Sequence, residues 1–376
     1  MTRLRILIVE DSLTVRARLI NTLAADSGCE VIGEAADGET AVRLCAALRP
    51  DVVSLDMMLA RGMSGLEVTE HIMAYCPTPI VIVSSSFNRG ELVRTLDALA
   101  AGAVEVIEKP TGREERGVWE RKFLDSLKIA ARIKVITHPR SRLRSLREVE
   151  RPSAPALMSR SANEPSDGGP RPTGSAGGRR ELIAIGASTG GPSAVVEVLR
   201  HAPRVPTLLV IHIGKPFAIG LADWLARVLP MPVVEAVDGL PLPLPGSARV
   251  IVAPPDRHLV VQGGRLRLSD APERNSCRPA IDVLFESLAE HVGPRAVGCL
   301  LTGMGRDGAD GLLLMRQRGA ATVAQDQKSC TVFGMPREAI RLGAAERVLP
   351  LAEIGPALVR LTRSGPPSTS GPPAGP

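Results

Sequence analysis

Short apolar runs separated by amphipathic stretches recur along most of this chain. Five of them lie in its first third, at Leu4–Val9, Val31–Ala35, Val52–Leu55, Ile80–Val83 and Val104–Ile107. Each run has the length of a buried strand, and the intervening stretches have helical spacing. Strands that alternate with helices form parallel sheets, because each helix returns the chain across one face of the sheet. We therefore predict an α/β fold that begins with a doubly wound, five-stranded parallel sheet.

Composition divides the chain into two domains and a connecting segment. Residues 1–134 and 180–363 show the alternating pattern, whereas residues 135–179 are rich in Pro, Gly, Ser and Arg. This connecting segment lacks an apolar period and predicts a flexible linker, and residues 364–376 predict a disordered tail. A length of 376 residues agrees with two domains. We expect the C-terminal domain to be doubly wound and Rossmann-like as well.

The positive charge of the chain is concentrated in the predicted linker. The net charge is +6, and residues 132–180 hold eleven basic and four acidic residues, so the remainder is close to neutral. A basic tract without a helix-turn-helix pattern or an aromatic platform is typical of a solvated spacer. We therefore expect no nucleic-acid partner.

Cysteine usage and the N-terminal residues predict a cytoplasmic protein. The six cysteines are scattered, with no Cys-x-x-Cys pair, which indicates reduced core residues rather than a disulfide framework or a zinc knuckle. Glu10 and Asp11 interrupt the first apolar run, which argues against a secretory leader. Because no apolar stretch is long enough to span a bilayer, we expect no membrane insertion.

Residues that can carry chemistry follow the N-terminal strands at the points where the strands end. They are Glu10, Asp11, Asp56, Ser84 and Lys109. The carboxyl ends of parallel strands share one edge of a sheet, so we expect these side chains to meet there. Carboxylates suit Mg²⁺, and one carboxylate can attack a phosphoryl group. Taken singly, Asp11 could instead cap a helix, and Lys109 could be an ordinary surface residue.

This set of residues resembles the receiver domain of bacterial response regulators over about positions 3–125. The resemblance implies that Asp56 accepts a phosphoryl group from a histidine kinase. It also implies a Mg²⁺ ion held by Glu10, Asp11 and Asp56, together with the backbone carbonyl of Met58.

The same resemblance assigns the phosphoryl oxygens to two further residues. Ser84 and Lys109 are expected to bind them, and the peptide bond before Pro110 is expected to be cis. The chain departs from the family pattern at Ala60, where proline is usual, and at Val106, where an aromatic residue is usual. The aromatic residue normally takes part in switching, so the resemblance does not assign the route of the switch in this chain.

Ser188 lies in a turn of small residues directly after an apolar run. Residues 182–191 read LIAIGASTGG, and Pro192 suits the first turn of a helix. Such a turn exposes the hydroxyl beside free backbone N–H groups and matches the spacing of a nucleophile elbow. Alone it could equally be a phosphate cradle or a plain tight turn. A dinucleotide site would need an acid after the next strand. His212 stands there instead, so a Ser–His pair is favoured.

A third junction between a strand and a loop supplies a carboxylate. The apolar run at 296–301 leads into a Gly-rich loop, and Asp307 stands where a helix begins. Asp307 could cap that helix, or it could orient His212 and stabilise the imidazolium. Since Ser188 and His212 also follow strands, we predict a Ser–His–Asp triad. His258, which enters a predicted hairpin, is less favoured.

The predicted oxyanion donors are backbone N–H groups near Thr189 and Met304. The chain order Ser, His, Asp differs from the order in α/β-hydrolases. Ser188 follows the first strand of its domain, so no earlier strand can supply an oxyanion loop. The Gly-rich loop at 302–305 is therefore the best source of a second donor.

Four segments resemble the chemotaxis protein-glutamate methylesterase family. They read GASTGG at 186–191, RPAIDVLF at 278–285, LTGMGRDG at 301–308 and SCTVFGMPREAI at 329–340. The resemblance implies hydrolysis of glutamyl methyl esters on methyl-accepting chemotaxis receptors with release of methanol, and deamidation of receptor glutamines. It implies no cofactor in the esterase domain.

A phospho-acceptor domain joined to a hydrolase predicts that phosphorylation activates the hydrolase. Two alternatives remain open from the sequence. One is a related esterase or deamidase in another two-component pathway, because the flank of His212, IHIGKPF, departs from the usual QHMPPGF. The other is a non-catalytic, phosphorylation-dependent interaction protein, against which the intact Ser, His and Asp argue.

Overall fold

Two α/β domains make up the part of the chain that is described. The computed structural model describes residues 3–85, 89–110, 115, 117–133, 135, 180–201, 205–242 and 248–363. The predicted linker lies outside these ranges except for residue 135, and the predicted tail lies wholly outside them. Among the described helices, none is both long and apolar enough to cross a bilayer.

The N-terminal domain is a five-stranded parallel sheet with the strand order β2-β1-β3-β4-β5. The strands are β1 (Leu4–Val9), β2 (Cys29–Ala35), β3 (Val52–Asp56), β4 (Ile80–Ser84) and β5 (Glu105–Glu108). The helices are α1 (Leu13–Ala24), α2 (Gly38–Leu48), α3 (Gly65–Tyr75), α4 (Arg89–Ala100) and α5 (Val118–Ala130). The predicted parallel sheet and all five of its strands are confirmed, with shifts only at strand ends.

Local capping explains where the first three helices begin. The side chain of Ser12 accepts a hydrogen bond from the N–H of Val15 and so caps α1. Asp37 caps α2 in the same manner, and Ser64 forms a reciprocal capping box with Glu67 at α3. These side chains satisfy N–H groups that lack partners within the helix. Because Ser12 is the cap of α1, its neighbour Asp11 remains available for other contacts.

The C-terminal domain is built on a seven-stranded parallel sheet with the order β14-β13-β12-β6-β7-β9-β8. Its strands are β6 (Leu182–Ala187), β7 (Thr207–Ile211), β8 (Val233–Glu235), β9 (Val250–Val252), β12 (Ala296–Leu300), β13 (Ala321–Gln325) and β14 (Arg347–Leu349). An antiparallel hairpin of β10 (His258–Gln262) and β11 (Arg265–Ser269) lies outside the sheet.

The helices of this domain follow its strands as a doubly wound fold requires. They are α6 (Gly191–Arg200), α7 (Lys215–Ala218), α8 (Leu221–Val228), α9 (Ile281–His291), α10 (Ala309–Gln317), α11 (Met335–Arg341) and α12 (Leu351–Arg363). Every residue of β6, β7 and β12 is buried, as expected for central strands covered on both faces. These three adjacent strands end at the same edge of the sheet, where ligands bind in such folds.

Helix α4 of the N-terminal domain packs against α6 and α8 of the C-terminal domain. The indole N–H of Trp224 donates a hydrogen bond to Asp97 Oδ1 at 2.7 Å. Leu92 lies so close to Gly220 that a Cβ atom on Gly220 would come within 2.2 Å of Leu92 Cδ2. The absence of a side chain at Gly220 therefore lets the two domains approach closely.

Candidate active site and phosphorylation site

The predicted carboxylates meet at the carboxyl edge of the N-terminal sheet. One carboxylate oxygen from each of Glu10, Asp11 and Asp56 lies within 4.8 Å of the others. The ammonium of Lys109 is 2.8 Å from Asp56 Oδ2 and 3.0 Å from Glu10 Oε2. The N–H of Met58 donates to Asp56 Oδ1 at 3.1 Å. The fold therefore brings these five predicted residues together.

Burial and repulsion between neighbouring carboxylates raise the pKa values of Glu10 and Asp56. Burial, followed by the charge of Asp56, raises the pKa of Glu10 to about 7. Burial also raises the pKa of Asp56, although Lys109 opposes that shift. For Lys109, burial works to lower the pKa, but Asp56 and Glu10 outweigh burial and raise it. The single ammonium of Lys109 does not neutralise both buried carboxylates, Glu10 and Asp56.

The donor set of this cluster fits a hard divalent cation. Lys109 donates a hydrogen bond to Glu10 Oε1 at 3.2 Å. The buried Oε2 atom of Glu10 makes an ion-pair contact with Lys109 but accepts no hydrogen bond among the described residues. Carboxylate oxygens are the ligands that Mg²⁺ prefers, and an added cation would relieve the repulsion between Glu10 and Asp56.

Ser84 lies at the end of β4, but its hydroxyl is bound to α4 rather than to Lys109. Its Oγ atom donates to Glu91 Oε1 at 2.9 Å and lies 3.0 Å from Thr95 Oγ1. Glu91 was not predicted as a site residue, and its place beside Ser84 depends on how α4 packs. The prediction of a cis peptide before Pro110 is wrong, because the cis bond found among the described residues is the one before Pro279.

The predicted triad residues lie at the ends of β6, β7 and β12. The N–H of Ser188 donates to Thr302 O at 3.0 Å, and the N–H of His212 donates to Ala187 O at 2.9 Å. Nε2 of His212 lies 2.9 Å from Oδ2 of Asp307. Within the described residues, the Ser188 hydroxyl makes no direct hydrogen bond to His212, although both residues line one cavity.

Asp307 is held in its charged form by donors from α9 and the segment before it. Its carboxylate accepts N–H bonds from Ile281 at 2.6 Å and Asp282 at 3.1 Å, and a side-chain bond from Asn275 at 3.1 Å. Burial works to raise the pKa of Asp307, but His212 and the backbone donors outweigh burial and lower it. Asp307 thus binds the N-terminus of α9, whereas Gly308 is the N-cap of its own helix α10. The alternative in which Asp307 caps the helix that follows it is therefore wrong.

The His212 ring contacts different groups through its two nitrogens. Nε2 faces Asp307, and Nδ1 lies 3.7 Å from the sulfur of Cys277. Burial works to lower the pKa of His212, but Asp307 and then Cys277 outweigh burial and raise it to about 9. Cys277 is only half-buried, as is Cys330, so the prediction that all six cysteines are core residues is wrong for these two. Sequence spacing offered no sign that Cys277 would reach His212.

His258 is excluded from this arrangement by its own contacts. It is fully buried, its Nδ1 accepts the N–H of Ala280 at 3.1 Å, and its Nε2 lies 3.1 Å from Pro272 O. Both ring nitrogens are therefore used in holding the segment before α9. The preference for His212 over His258 agrees with this geometry.

The loop that follows β12 packs directly against Ser188. A Cβ atom on Gly303 would lie 2.7 Å from Ser188 Cβ, so only glycine allows this approach. The hydroxyl of Thr302 donates to Thr189 O at 3.0 Å and ties the two loops together. Met304, which follows Gly303, has a half-exposed side chain. The backbones of Thr189 and Met304 therefore belong to two loops that flank Ser188.

A cavity of about 640 Å³ lies between Ser188, His212 and the N-terminal domain. Ser188, His212 and Cys277 line one side of it. Val106 and Lys122 of the N-terminal domain line the other side. The N-terminal domain therefore covers part of the space beside Ser188.

Comparison with known proteins places these two sites in recognised domains. A family model for the response regulator receiver domain matches residues 6–116, and one for CheB methylesterase matches residues 183–358. The chain is 42% identical to protein-glutamate methylesterase/protein-glutamine glutaminase 2 of Anaeromyxobacter dehalogenans, over 96% of this chain and 97% of that protein. It is 41% identical to the corresponding enzyme 1 of Xanthomonas campestris, over 96% and 98%.

A solved structure is also similar to the C-terminal domain. It is the crystal structure of the Thermotoga maritima CheB methylesterase catalytic domain, which is 34% identical, covers 48% of this chain and 98% of that chain, and has a TM-score of 0.45. The matches to full-length relatives extend through both domains.

Proposed function

This chain belongs to the protein-glutamate methylesterase/protein-glutamine glutaminase family, and from that membership we propose that it demethylates methyl-accepting chemotaxis receptors. The substrate is a glutamyl methyl ester, the products are glutamate and methanol, and receptor glutamines are deamidated by the same chemistry. The observation that carries the proposal is the 2.9 Å contact between His212 and Asp307 beside Ser188, which is partly buried and lines the same cavity as His212.

The catalytic cycle follows from the groups around the cavity. Nδ1 of His212, the nitrogen that does not face Asp307, takes the proton of Ser188 as Oγ attacks the ester carbonyl. Backbone N–H groups of Thr189 and Met304 stabilise the oxyanion. The protonated ring then returns its proton to the departing methanol, and a water activated by His212 hydrolyses the acyl-enzyme. Asp307 keeps the ring oriented and stabilises its charged form.

The N-terminal domain accepts the phosphoryl group that controls this activity. Asp56 is the acceptor, and a histidine kinase is the donor. Lys109 and Ser84 bind the phosphoryl oxygens, which carry added negative charge. Glu10, Asp11, Asp56 and the carbonyl of Met58 would hold a Mg²⁺ ion, which would supply positive charge against the repulsion between the phosphoryl oxygens and the carboxylates.

The receiver domain restrains the esterase until it is phosphorylated. Val106 and Lys122 line the cavity of Ser188, and α4 packs against the C-terminal domain. A receptor helix is too bulky to enter while the receiver covers this side. In the closed arrangement the receiver domain covers the cavity, and in the open arrangement it does not. Phosphorylation activates the esterase only to the extent that it stabilises the open arrangement more than the closed one.

Methanol release from methylated receptor fragments tests the proposed reaction. We expect release by the full chain to increase when a small phosphodonor and Mg²⁺ are added. Ser188→Ala should lose most of the activity, by a factor that reaches about 10⁶ in comparable triads, while its circular dichroism stays unchanged. Hydrolysis of small esters without action on receptor fragments would favour the related esterase of another pathway. Retained methanol release by Ser188→Ala would contradict the assignment of the nucleophile.

A further inference from the structure

Cys277, His212 and Asp307 form a cluster of three metal-binding side chains. One ligand atom from each lies within 4.8 Å of the others. The sulfur of Cys277 is 3.7 Å from Nδ1 of His212, and Nε2 of the same ring is 2.9 Å from Asp307 Oδ2. The ring therefore has a thiol at one nitrogen and a carboxylate at the other.

The spacing of these atoms matches that of a zinc site. Zinc lies about 2.3 Å from a cysteine sulfur and about 2.0 Å from a histidine nitrogen, so a tetrahedral ion separates the two by about 3.5 Å. The observed separation of Sγ and Nδ1 is 3.7 Å. Histidines that bind a metal commonly have a carboxylate at their other nitrogen, and Asp307 is in that position.

Asp307 itself is occupied by other partners. Its oxygens already accept bonds from Ile281, Asp282 and Asn275. Cys277 and His212 therefore supply the two protein ligands, and Asp307 orients the ring. The remaining coordination positions face the cavity, where water can fill them.

We propose that Cys277 Sγ and His212 Nδ1 bind Zn²⁺ and that this ion inhibits the esterase. Binding replaces two waters of the ion with the sulfur and the nitrogen, and the thiol releases its proton to solvent. The ion then occupies the nitrogen that must take the proton of Ser188. Only this inhibitory effect rests on the proposed function, because metal binding needs no substrate.

Ligand chemistry separates this site from the acidic cluster of the receiver domain. Glu10, Asp11 and Asp56 offer only oxygen atoms, the ligands that Mg²⁺ prefers. Thiolate and imidazole instead select zinc and similar ions over magnesium. An excess of Mg²⁺ should therefore compete for the acidic cluster and leave the Cys277 site to zinc.

Zinc titration of methanol release in excess Mg²⁺ tests the inhibition on the full chain. We expect Cys277→Ser to need at least about tenfold more zinc chloride than the natural chain for half-inhibition, each measured against its own uninhibited rate. Cys330→Ser, which changes another half-buried cysteine of the same domain, should match the natural chain. Equal zinc sensitivity of Cys277→Ser and the natural chain would overturn the proposal.

Cobalt binding tests the site without any enzyme assay. Co²⁺ should give a near-ultraviolet thiolate charge-transfer band with the natural chain and with Cys330→Ser. The band should be lost in Cys277→Ser and in Cys277→Ala, whose folding is checked by circular dichroism. Absence of the band from the natural chain would refute the site. If the natural chain gave the cobalt band but released no methanol, the metal site would be supported and the proposed function would be contradicted.

A second cluster, formed by Ser84, Ser85 and Glu91, joins the phosphorylation site to α4. The hydroxyl of Ser84 donates to Glu91 Oε1 at 2.9 Å. The N–H of Ser85 donates to the same oxygen at 2.7 Å, and its hydroxyl donates to Oε2 at 2.6 Å. Glu91 is only 4% exposed, and its bond with Ser84 is buried. Together the three bonds hold the end of β4 against the start of α4.

The same helix carries the contacts with the C-terminal domain. One turn or more beyond Glu91, Asp97 accepts the indole N–H of Trp224. Leu92, next to Glu91, packs against Gly220. A change at Glu91 therefore acts on the helix that holds the two domains together.

We also infer that Glu91 is the positioning residue that transmits phosphorylation to the domain contact. A serine hydroxyl has one hydrogen, so Ser84 cannot donate to Glu91 and to a phosphoryl oxygen together. The added negative charge also repels the Glu91 carboxylate. Phosphorylation therefore breaks the Ser84–Glu91 bond and loosens α4. In this route the Ser84–Glu91 bond takes over the role of the aromatic residue that the family usually has at the position of Val106. The route rests on the gate proposed above.

Glu91→Gln in the full chain tests this route. We expect methanol release without phosphodonor to rise several-fold, the stimulation by phosphodonor to shrink, and the raised rate to persist in Glu91→Gln with Asp56→Asn. The control Glu30→Gln changes an exposed residue of β2 and should match the natural chain. The inference would be overturned if Glu91→Gln left the basal rate and the stimulation by phosphodonor unchanged. It would also be overturned if the rates without and with phosphodonor fell by the same factor. Failure of the natural chain to respond to phosphodonor would instead contradict the gate.

Discussion

At the residue scale, the protonation of His212 decides how the rate depends on pH. Burial lowers the pKa of this ring, but Asp307 and Cys277 outweigh burial and raise it to about 9. Only the neutral ring can take the Ser188 proton, so kcat/KM should increase as pH rises through about 9. Asp307→Asn should move the midpoint to lower pH and reduce the maximum. A profile that is flat between about pH 7 and pH 10 would contradict this role of His212.

The protonation of His212 also affects the free energy of unfolding. This stability should fall as pH rises, whereas the activity should increase. Its pKa is higher in the folded chain than the ordinary value of 6.5, so folding favours the protonated form. The stabilisation is complete below about pH 6.5 and is lost as pH rises through about 9. The arrangement that orients His212 therefore also keeps most of the enzyme in the protonated form near neutral pH.

At the element scale, the N-terminus of α9 fixes the position of the triad carboxylate. Asn275 donates to Asp307 at 3.1 Å and to Asp282 at 2.8 Å, and burial raises the pKa of Asp282 to about 6. Asn275→Asp keeps the size of the side chain but replaces the two bonds with charge repulsion. The free energy of unfolding should fall by about 1–3 kcal/mol, measured by urea denaturation.

A matched change separates this effect from the mere addition of charge. Asn21→Asp makes the same substitution on the exposed face of α1 and should shift stability by no more than about 0.5 kcal/mol. Asn275→Asp should also lower methanol release, because Asp307 loses a partner that holds it. Equal stability of the two variants would show that Asn275 contributes little to the site.

At the scale of the whole molecule, the contact between α4 and the C-terminal domain keeps the receiver over the cavity. Asp97→Ala removes the acceptor of the Trp224 N–H bond. This should weaken the closed arrangement by about 1 kcal/mol and raise methanol release without phosphodonor several-fold. Asp125→Ala, on the exposed face of α5, serves as the control. A basal rate in Asp97→Ala no higher than in the control would argue against the gate.

Asp56, as the proposed phospho-acceptor, would connect this restraint to the signal. Asp56→Asn cannot accept a phosphoryl group, so its methanol release should stay at the basal rate when phosphodonor and Mg²⁺ are added. Coupling between sites is typically about 1–3 kcal/mol, so the natural chain should respond by about 5–150-fold. A full response in Asp56→Asn would show that another residue accepts the phosphoryl group.

The sequence by itself determined the five strands of the N-terminal domain, and it determined which residues follow those strands and the three strands that lead to Ser188, His212 and Asp307. Apolar runs and glycine-rich turns are local features, and in a parallel sheet they also decide which edge carries the chemistry. For this reason Glu10, Asp56 and Lys109 were predicted to meet, as were the loops of Ser188 and His212. The family resemblance, carried by long local motifs, is confirmed by relatives that match both domains.

Only the tertiary structure decided which side chains complete these sites. Cys277 reaches His212, and Asn275 reaches Asp307, through a segment between the β10–β11 hairpin and α9 that has no regular period. Glu91 reaches Ser84 because α4 packs against the end of β4. Such contacts join residues far apart in the chain or on different elements. They depend on packing geometry, which hydrophobic periodicity and turn signals do not encode.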